Sequence, residues 1–549
     1  MTNYLIHVIK IRANFTSLFL SNFYITKANG LQNNTLFEII LILRNLFGKM
    51  FQLSFKKNID SLVAALAGFS IIFLYTRHGG IGLCPDGVVY TTTAKNIVSS
   101  CQLVDFRHYA LVEFPAFYPL FLSMIMLVTG LQPLVFGAIL NAILFAIIIY
   151  LSGSITEQFL HKSKWYKAAI LSCIVLSPGL LEVYSMLWSE TLFILFLLLF
   201  IIMMHRYFQT YSRKTLIAAA IITSLACVTR YAAITIIGTG IILLLLDKKL
   251  PLRRKIKDIV LFGLISPLLL IINLVRNYMV GVTMTGIREK SLASLSKNMH
   301  DTGVVFRDWL PFFNGHYNGA AWLTLFIVCF LVFIFLKQYF RNLQMVTYEN
   351  IAVSFALLYL SFMIIIASIS RFETLDSRFL SPAFIPLLWS CSNWIVSSSQ
   401  KINRGKKKWM VIGGTLIFLC FQYGQFAADY ETWDGVKDAG IPGYTENQWK
   451  YSQTVLYIEK DSLPFKKGYT IYSNAYDAVY FFTGRPGRFL PNKENKGKVQ
   501  EFLNDPHCYM VWFDDGENPD LVGMNFITKV KKMKLVKQFD DGAIYAYDK

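Results

Sequence analysis

Acidic side chains are scarce in the first 429 residues, where 17 Asp and Glu stand against 37 Lys and Arg. Ten of the 17 fall between the first apolar run and Asp376, on segments expected to share one side of a membrane. Acids gathered at one face suit acid–base chemistry at a membrane surface, whereas proton-coupled transport places them near the middle of a span. Asp86 lies in GLCPDGVVYTTTAKNI between Pro85 and Gly87. It can cap the helix that follows, or act as a general base held at the surface, with Tyr90 one turn along the same face. Glu113 precedes Pro115 in EFPAFYPLFLSMIMLVTG. It can favour a helix start through the dipole, or stand at headgroup depth beside a lipid phosphate or sugar. Glu190 follows Ser189 at the start of an apolar span, and capping is again the plainer role. Arg230, Arg276 and Arg378 sit at the ends of spans on this same side. Arginine there can snorkel to headgroups, or grip a phosphate with its planar fork.

The elements that must position these groups are membrane helices. Of 549 residues 54 % are hydrophobic and 16 % charged, and mean hydropathy is +0.45. This is too apolar for an ordinary soluble interior and excludes disordered, collagen-like or coiled-coil chains. Spans need about 20 apolar residues. They are expected near 61–76, 132–152, 166–181, 190–206, 215–229, 231–246, 258–280, 318–336, 350–370, 379–397 and 409–427, eleven in all. The run from Phe114 to Val128 is read as a membrane-embedded or re-entrant helix of the first external loop, 77–131, because counting it as a span would reverse every later loop.

The net charge of +19 resolves into +20 over residues 1–429 and −1 over 430–549. Short basic segments such as DKKLPLRRKIK and KINRGKKK alternate with longer, less basic ones. By the positive-inside rule the N-terminus is cytoplasmic and the tail extracytoplasmic. The charge is therefore topological, and no solvated basic face suggests nucleic acid. Residues 1–58 form an N-terminal cytoplasmic segment without a signal peptide, and Met50 is an alternative start. The transmembrane domain covers 59–429. Residues 430–549 form a small α/β domain, with strands at 469–474 and 508–515 and a closing hairpin about Asp541–Gly542. Asn474 and Asp477 read as a strand-to-helix cap. The eight cysteines include no CxxC pair; Cys84 and Cys101 are either one extracytoplasmic disulfide or two free thiols. P-loop, GxGxxG, HExxH and GxSxG signatures are absent from the sequence.

The order of PDGVVY…AKNI, E-x-P-x-x-Y-P, SP…SE, TRYA and RFLSPAFIPL resembles the polyprenyl-phosphate-dependent glycosyltransferases of the GT-C fold. Within them it is most similar to the protein mannosyltransferase and lipid A aminoarabinose transferase branch. The resemblance covers about residues 60–400. It implies inverting transfer of a sugar from a polyprenyl phosphate, at the external leaflet of a membrane such as the bacterial inner membrane, to a glycan, lipid or protein acceptor. Asp86 matches the first-loop acid that acts as base or orients the acceptor, Glu113 the acid before the proline helix, and Glu190 the acid opening a later span. Arg378 and Arg230 match basic residues near donor phosphate; Arg276, Tyr90 and Tyr118 complete the expected substrate-binding set. Asp86 and Glu113 are the expected ligands for any divalent cation, Mg or Mn. One departure stands out. Phe114 follows Glu113 where the aminoarabinose branch has Lys, and Ala116 replaces its second proline. A polytopic transporter or lipid-carrier flippase is the alternative, although the sequence has neither repeats nor charged midplanes.

Overall fold

The computed structural model describes residues 58–549 except 160–162, 282, 287, 289, 311–318, 341–346, 372–373, 400–403, 461–464, 467 and 515–519. Nearly all of segment 1–58, with Met50, and the acids Glu289 and Glu373 lie outside the described residues. The membrane half is built from α1 (Ile59–Tyr75), α2 (Pro85–Ser100), α3 (Phe117–Thr129), α4 (Pro133–Thr156), α5 (Lys164–Val175), α6 (Pro178–Ser185), α7 (Glu190–Thr210) and α8 (Arg213–Thr229). It continues with α9 (Ile234–Leu246), α10 (Leu252–Ile265), α11 (Leu268–Gly281), α12 (Leu295–Asp308), α13 (Ala320–Phe340), α14 (Tyr348–Ile369), α15 (Ser377–Ser399) and α16 (Arg404–Ala439).

By length and composition seven described helical stretches can cross a membrane: α4, α7, α10 with α11, α13, α14, α15 and most of α16. The pair α5 and α6, bent by 49°, makes an eighth if it is one span. The other expected spans are the shorter helices α1, α8 and α9, of 17, 17 and 13 residues. The chain is an integral membrane protein. The embedded helix expected from Phe114 begins only at Phe117, because Pro115 and the loop before it hold the chain out of helical conformation. Thirteen residues reach about 20 Å, less than the roughly 30 Å of a bilayer core. Glycine lets helices meet closely: a Cβ on Gly68 of α1 would overlap Ile149 of α4.

The remaining chain adds α17 (Gln453–Glu459), α18 (Tyr476–Thr483) and α19 (Lys496–Asn504) around strands β1 (Thr470–Ser473), β2 (Arg488–Phe489), β3 (His507–Phe513), β4 (Lys534–Phe539) and β5 (Gly542–Asp548). The sheet order is β2-β1-β3-β5-β4. Strand β1 runs parallel to β2 and β3, while β4 and β5 form the expected antiparallel hairpin. Alternation along β1 and β3 supplies two cores. Ile471, Tyr509 and Val511 face Val455 and Val479, whereas Tyr472 and Met510 face Leu490 and Phe502. The buried Lys531 ammonium donates to the carbonyls of Phe502, Leu503 and Asp505, closing the C-terminal end of α19.

The two halves are stitched together beside α2. Gly82 pairs with Met186 as an isolated parallel bridge, its N–H donating to Ser185 O at 2.9 Å. Asn141 of α4 fixes the same segment through the carbonyls of Tyr184 (3.0 Å) and Met186 (2.7 Å). Tyr444 N–H then donates to Leu83 O at 2.8 Å. Gly443, at φ +118°, has no room for a Cβ against that carbonyl.

Candidate active site

Helix α2 opens with Cys84 as N-cap and Pro85 at N1, and no side chain caps it. Asp86 is thus free of the capping role and turns to Arg378, with which its Oδ2 forms an ion pair. Arg378 is the second residue of α15 and its side chain is 8 % exposed. Its Nε donates to Glu190 Oε1 at 2.5 Å. Arg230 Nη1 lies 2.5 Å from the same oxygen. Arg230 takes this direction because α8 ends at Thr229 and the chain becomes extended at Arg230 (φ −147°, ψ 134°). Glu190 is fully buried at the start of α7, and Ser189, its N-cap, makes no capping bond. Ser189 Oγ instead accepts from Arg230 Nη1 at 3.1 Å and lies 3.4 Å from the Tyr90 hydroxyl. Two cations and two carboxylates therefore form one linked network, with Asp86 as its partly open end (24 % side-chain exposure).

Two neighbours complete it. The Trp188 ring lies 4.4 Å under the Arg378 guanidinium carbon, and its indole N–H donates to Cys84 Sγ at 2.7 Å. Cys84 and Cys101 are both free thiols. Tyr118 is buried with its ring edge-on to Tyr90 at 5.0 Å. Ser189 and Trp188 were not singled out as site residues by sequence; their only signal is adjacency to Glu190.

The other expected members lie elsewhere. Glu113 is exposed and three residues ahead of the Ala116 N-cap of α3, so it does not start that helix. It lines a separate cavity of about 330 Å³ with Asp105, Arg107 and Gly286. Among the described residues no hydrogen bond or ion pair joins it to Asp86 or Glu190. Arg276 donates to the carbonyls of Leu111 and Leu103, the latter at 3.0 Å, and so pins the first loop. Asn277, fully buried, supports that loop through Val112 O (3.3 Å) and holds the segment after α11 through Met284 O (2.9 Å). A divalent cation finds little here. Asp86 and Glu190 face guanidinium groups, Glu113 stands apart, and no cluster of three His, Cys, Asp or Glu occurs among the described residues.

The tail packs its helix α18 against α2. Asp477 accepts the Tyr444 hydroxyl at 2.6 Å in a buried contact, and α18 has Ala475 as N-cap with no side-chain cap. Asn474 bonds both polar groups of Phe513, at 2.7 and 3.0 Å. Both residues thus make tertiary ties where a local cap was expected. Burial holds the Asp477 carboxyl above its usual range, and the nearby charge of Asp86 adds to this.

No protein-family model matches the chain, and no curated protein matches it in sequence. Solved structures do. The crystal structure of ArnT from Cupriavidus metallidurans in the apo state superposes with a TM-score of 0.56 at 10 % identity, covering 88 % of this chain and 97 % of ArnT. The same protein bound to undecaprenyl phosphate gives 0.53 at 12 % identity, over 90 % and 98 %. The chain has the GT-C fold. This is the fold implied by the order of its motifs, and at such low identity the likeness to ArnT speaks for the fold alone.

Proposed function

We propose that the protein is a membrane glycosyltransferase that moves a sugar from a polyprenyl phosphate to an acceptor, with inversion, at the external face. The observation that carries this reading is the Arg378 bridge between Asp86 and Glu190, beside Arg230. ArnT, whose fold is shared, has been crystallised with undecaprenyl phosphate, and the arginines here suit the same kind of headgroup. Arg230 Nε is buried without a partner, so a donor N–H is left over for a phosphate oxygen.

The chemistry follows from the charges. An acceptor hydroxyl attacks the anomeric carbon from the side opposite the phosphate and passes its proton to Asp86. The bond between that carbon and the phosphate oxygen breaks, and its electron pair leaves on the phosphate. As Asp86 is neutralised it ceases to compensate Arg378, whose positive charge then meets the growing charge of the leaving phosphate. Glu190 stays ionised between two guanidinium groups and holds both in place. On this reading residues 59–429 form the catalytic membrane domain and 430–549 an extracytoplasmic domain. The N-terminus is cytoplasmic, and the membrane is a bacterial inner membrane.

The test is release of lipid phosphate from radiolabelled polyprenyl-phosphate sugars by the purified protein in liposomes, wild type beside Asp86→Asn. Loss of release by about 10²–10⁴-fold in the variant is expected for removal of a general base. Release that survives the substitution sinks the mechanism. Movement of labelled lipid between leaflets with no release would favour the flippase.

A further inference from the structure

Outside the charged network, a cavity of about 490 Å³ lies between the first external loop and the β2 edge of the C-terminal sheet. Four cations line it, Arg107, Arg371, Arg488 and Lys498, against two carboxylates, Glu501 and Asp520. Counting Asp105, which grips Arg107 from behind, one positive charge remains over. The Lys498 ammonium has no ion-pair partner among the described residues. Arg488 spends one N–H on Glu501 at 3.0 Å, and both side chains are more than half exposed. An exposed pair of this kind adds little stability and is readily exchanged for a ligand anion.

Tyr109 and Phe489 add rings that are 59 % and 44 % exposed. They flank a polar, cationic hollow; Phe489 also packs edge-on with Tyr476, and the Arg107 guanidinium carbon lies 5.4 Å from the Tyr109 ring centroid. Flat aromatic faces beside fixed hydrogen-bond donors are what a sugar ring recognises, through its C–H face and its hydroxyls. The hollow also lies near the network. Arg107 and Tyr109 line the neighbouring 330 Å³ cavity as well, and that cavity extends to Val89. Val89 lies three residues beyond Asp86 on α2, on a neighbouring turn of the helix face.

We propose that this cavity binds an anionic carbohydrate and is the acceptor site, selecting a glycan that bears phosphate or carboxylate and leading its reactive end toward Asp86. The acceptor role rests on the glycosyltransferase reading; the binding of anionic glycan does not.

The experiment measures binding to the purified full-length protein in detergent of three probes: a trisaccharide carrying mannose 6-phosphate, a galacturonic acid trimer and neutral maltotriose. One anionic probe is expected to bind at least about tenfold more tightly than maltotriose, because guanidinium–anion hydrogen bonds are the strong ones. Which anionic probe it is distinguishes phosphate from carboxylate. Arg488→Ala and Phe489→Ala, both at exposed positions and checked for an unchanged melting temperature, should each weaken that binding by about tenfold. Asp86→Asn should leave it intact. Equal binding of all three probes, no binding of any, or binding untouched by both variants overturns the proposal. Intact binding without sugar release from any donor would sink the enzyme reading and leave the cavity; release and transfer at wild-type rates in Phe489→Ala, with binding weakened, would leave the enzyme reading and sink the acceptor role.

Discussion

Helix α7 meets a buried carboxylate at each end, and both are attended by two arginines. At its N-terminal end Glu190 lies 2.5 Å from Arg230 and from Arg378, whose side chains are 13 % and 8 % exposed. At its C-terminal end Tyr207 donates to Asp258 at 2.7 Å, with Arg254 and Arg213 at 3.6 and 3.7 Å. Those arginines are 42 % and 60 % exposed, so water screens them. The first network continues through Arg378 to the partly open Asp86 and keeps an unpaired donor. The second ends on solvent and ties α7 and the start of α8 to α10. Composition does not separate the two; burial of the cations and the presence of an open end do.

Mirrored substitutions test that contrast most severely. Glu190→Gln leaves two buried guanidinium groups without their shared anion, and breaking a buried pair of this kind costs about 3–5 kcal/mol. The melting temperature should fall, and sugar release per folded molecule should drop by about 10²-fold or more as both arginines lose their aim. Next in size is Arg230→Lys. A lysine keeps the charge but not the fork or the unpaired Nε–H, so donor affinity should weaken by about tenfold while the melting temperature changes little. Asp258→Asn should cost about 1–2 kcal/mol through the weakened Tyr207 hydrogen bond and leave release per folded molecule unchanged. If Asp258→Asn and Glu190→Gln lowered release equally, the distinction between a clamp and a reactive network would collapse.

The sequence reveals the members of the first network better than their arrangement. Asp86, Glu190, Arg230 and Arg378 could be found because each polar residue interrupts or opens an apolar run on one expected side. The tail strands were equally visible, since alternation in CYMVWF and AIYAYD needs no tertiary knowledge. Glu113 and Arg276 carry the same local signals and yet stand outside. Asp105 accepts the N–H groups of Arg107 (2.8 Å) and Tyr109 (3.0 Å), and this turn directs Glu113 toward Gly286. Arg276 spends its fork on carbonyls more than 160 residues away in sequence. The Tyr444–Asp477 contact, between residues on different elements, was hidden for the same reason. Periodicity reports which face is apolar, but it does not report which distant carbonyl a guanidinium will meet.

The smallest expected effect concerns how Arg378 is aimed. Trp188 supports the guanidinium with its ring and is itself fixed by the bond from its indole N–H to Cys84, two residues before Asp86. Trp188→Phe keeps a smaller aromatic face under Arg378 and removes that N–H together with part of a buried ring system. The lost bond to a weakly accepting sulfur costs little, and the volume removed from a buried site should cost about 1–2 kcal/mol. Release should fall by about two- to fivefold, roughly 0.4–1 kcal/mol in the barrier, if the bond orients the ring and through it the arginine. The Asp258 network has its own aromatic neighbour, the Tyr211 ring 5.9 Å from the Arg254 guanidinium carbon, so Tyr211→Leu is the matching variant and should leave release unchanged. Trp188→Ala then gives the sharper reading, since it removes the ring as well. A drop much larger than that of Trp188→Phe assigns the aim of Arg378 to the cation–π contact, and equal drops assign it to the Cys84 bond.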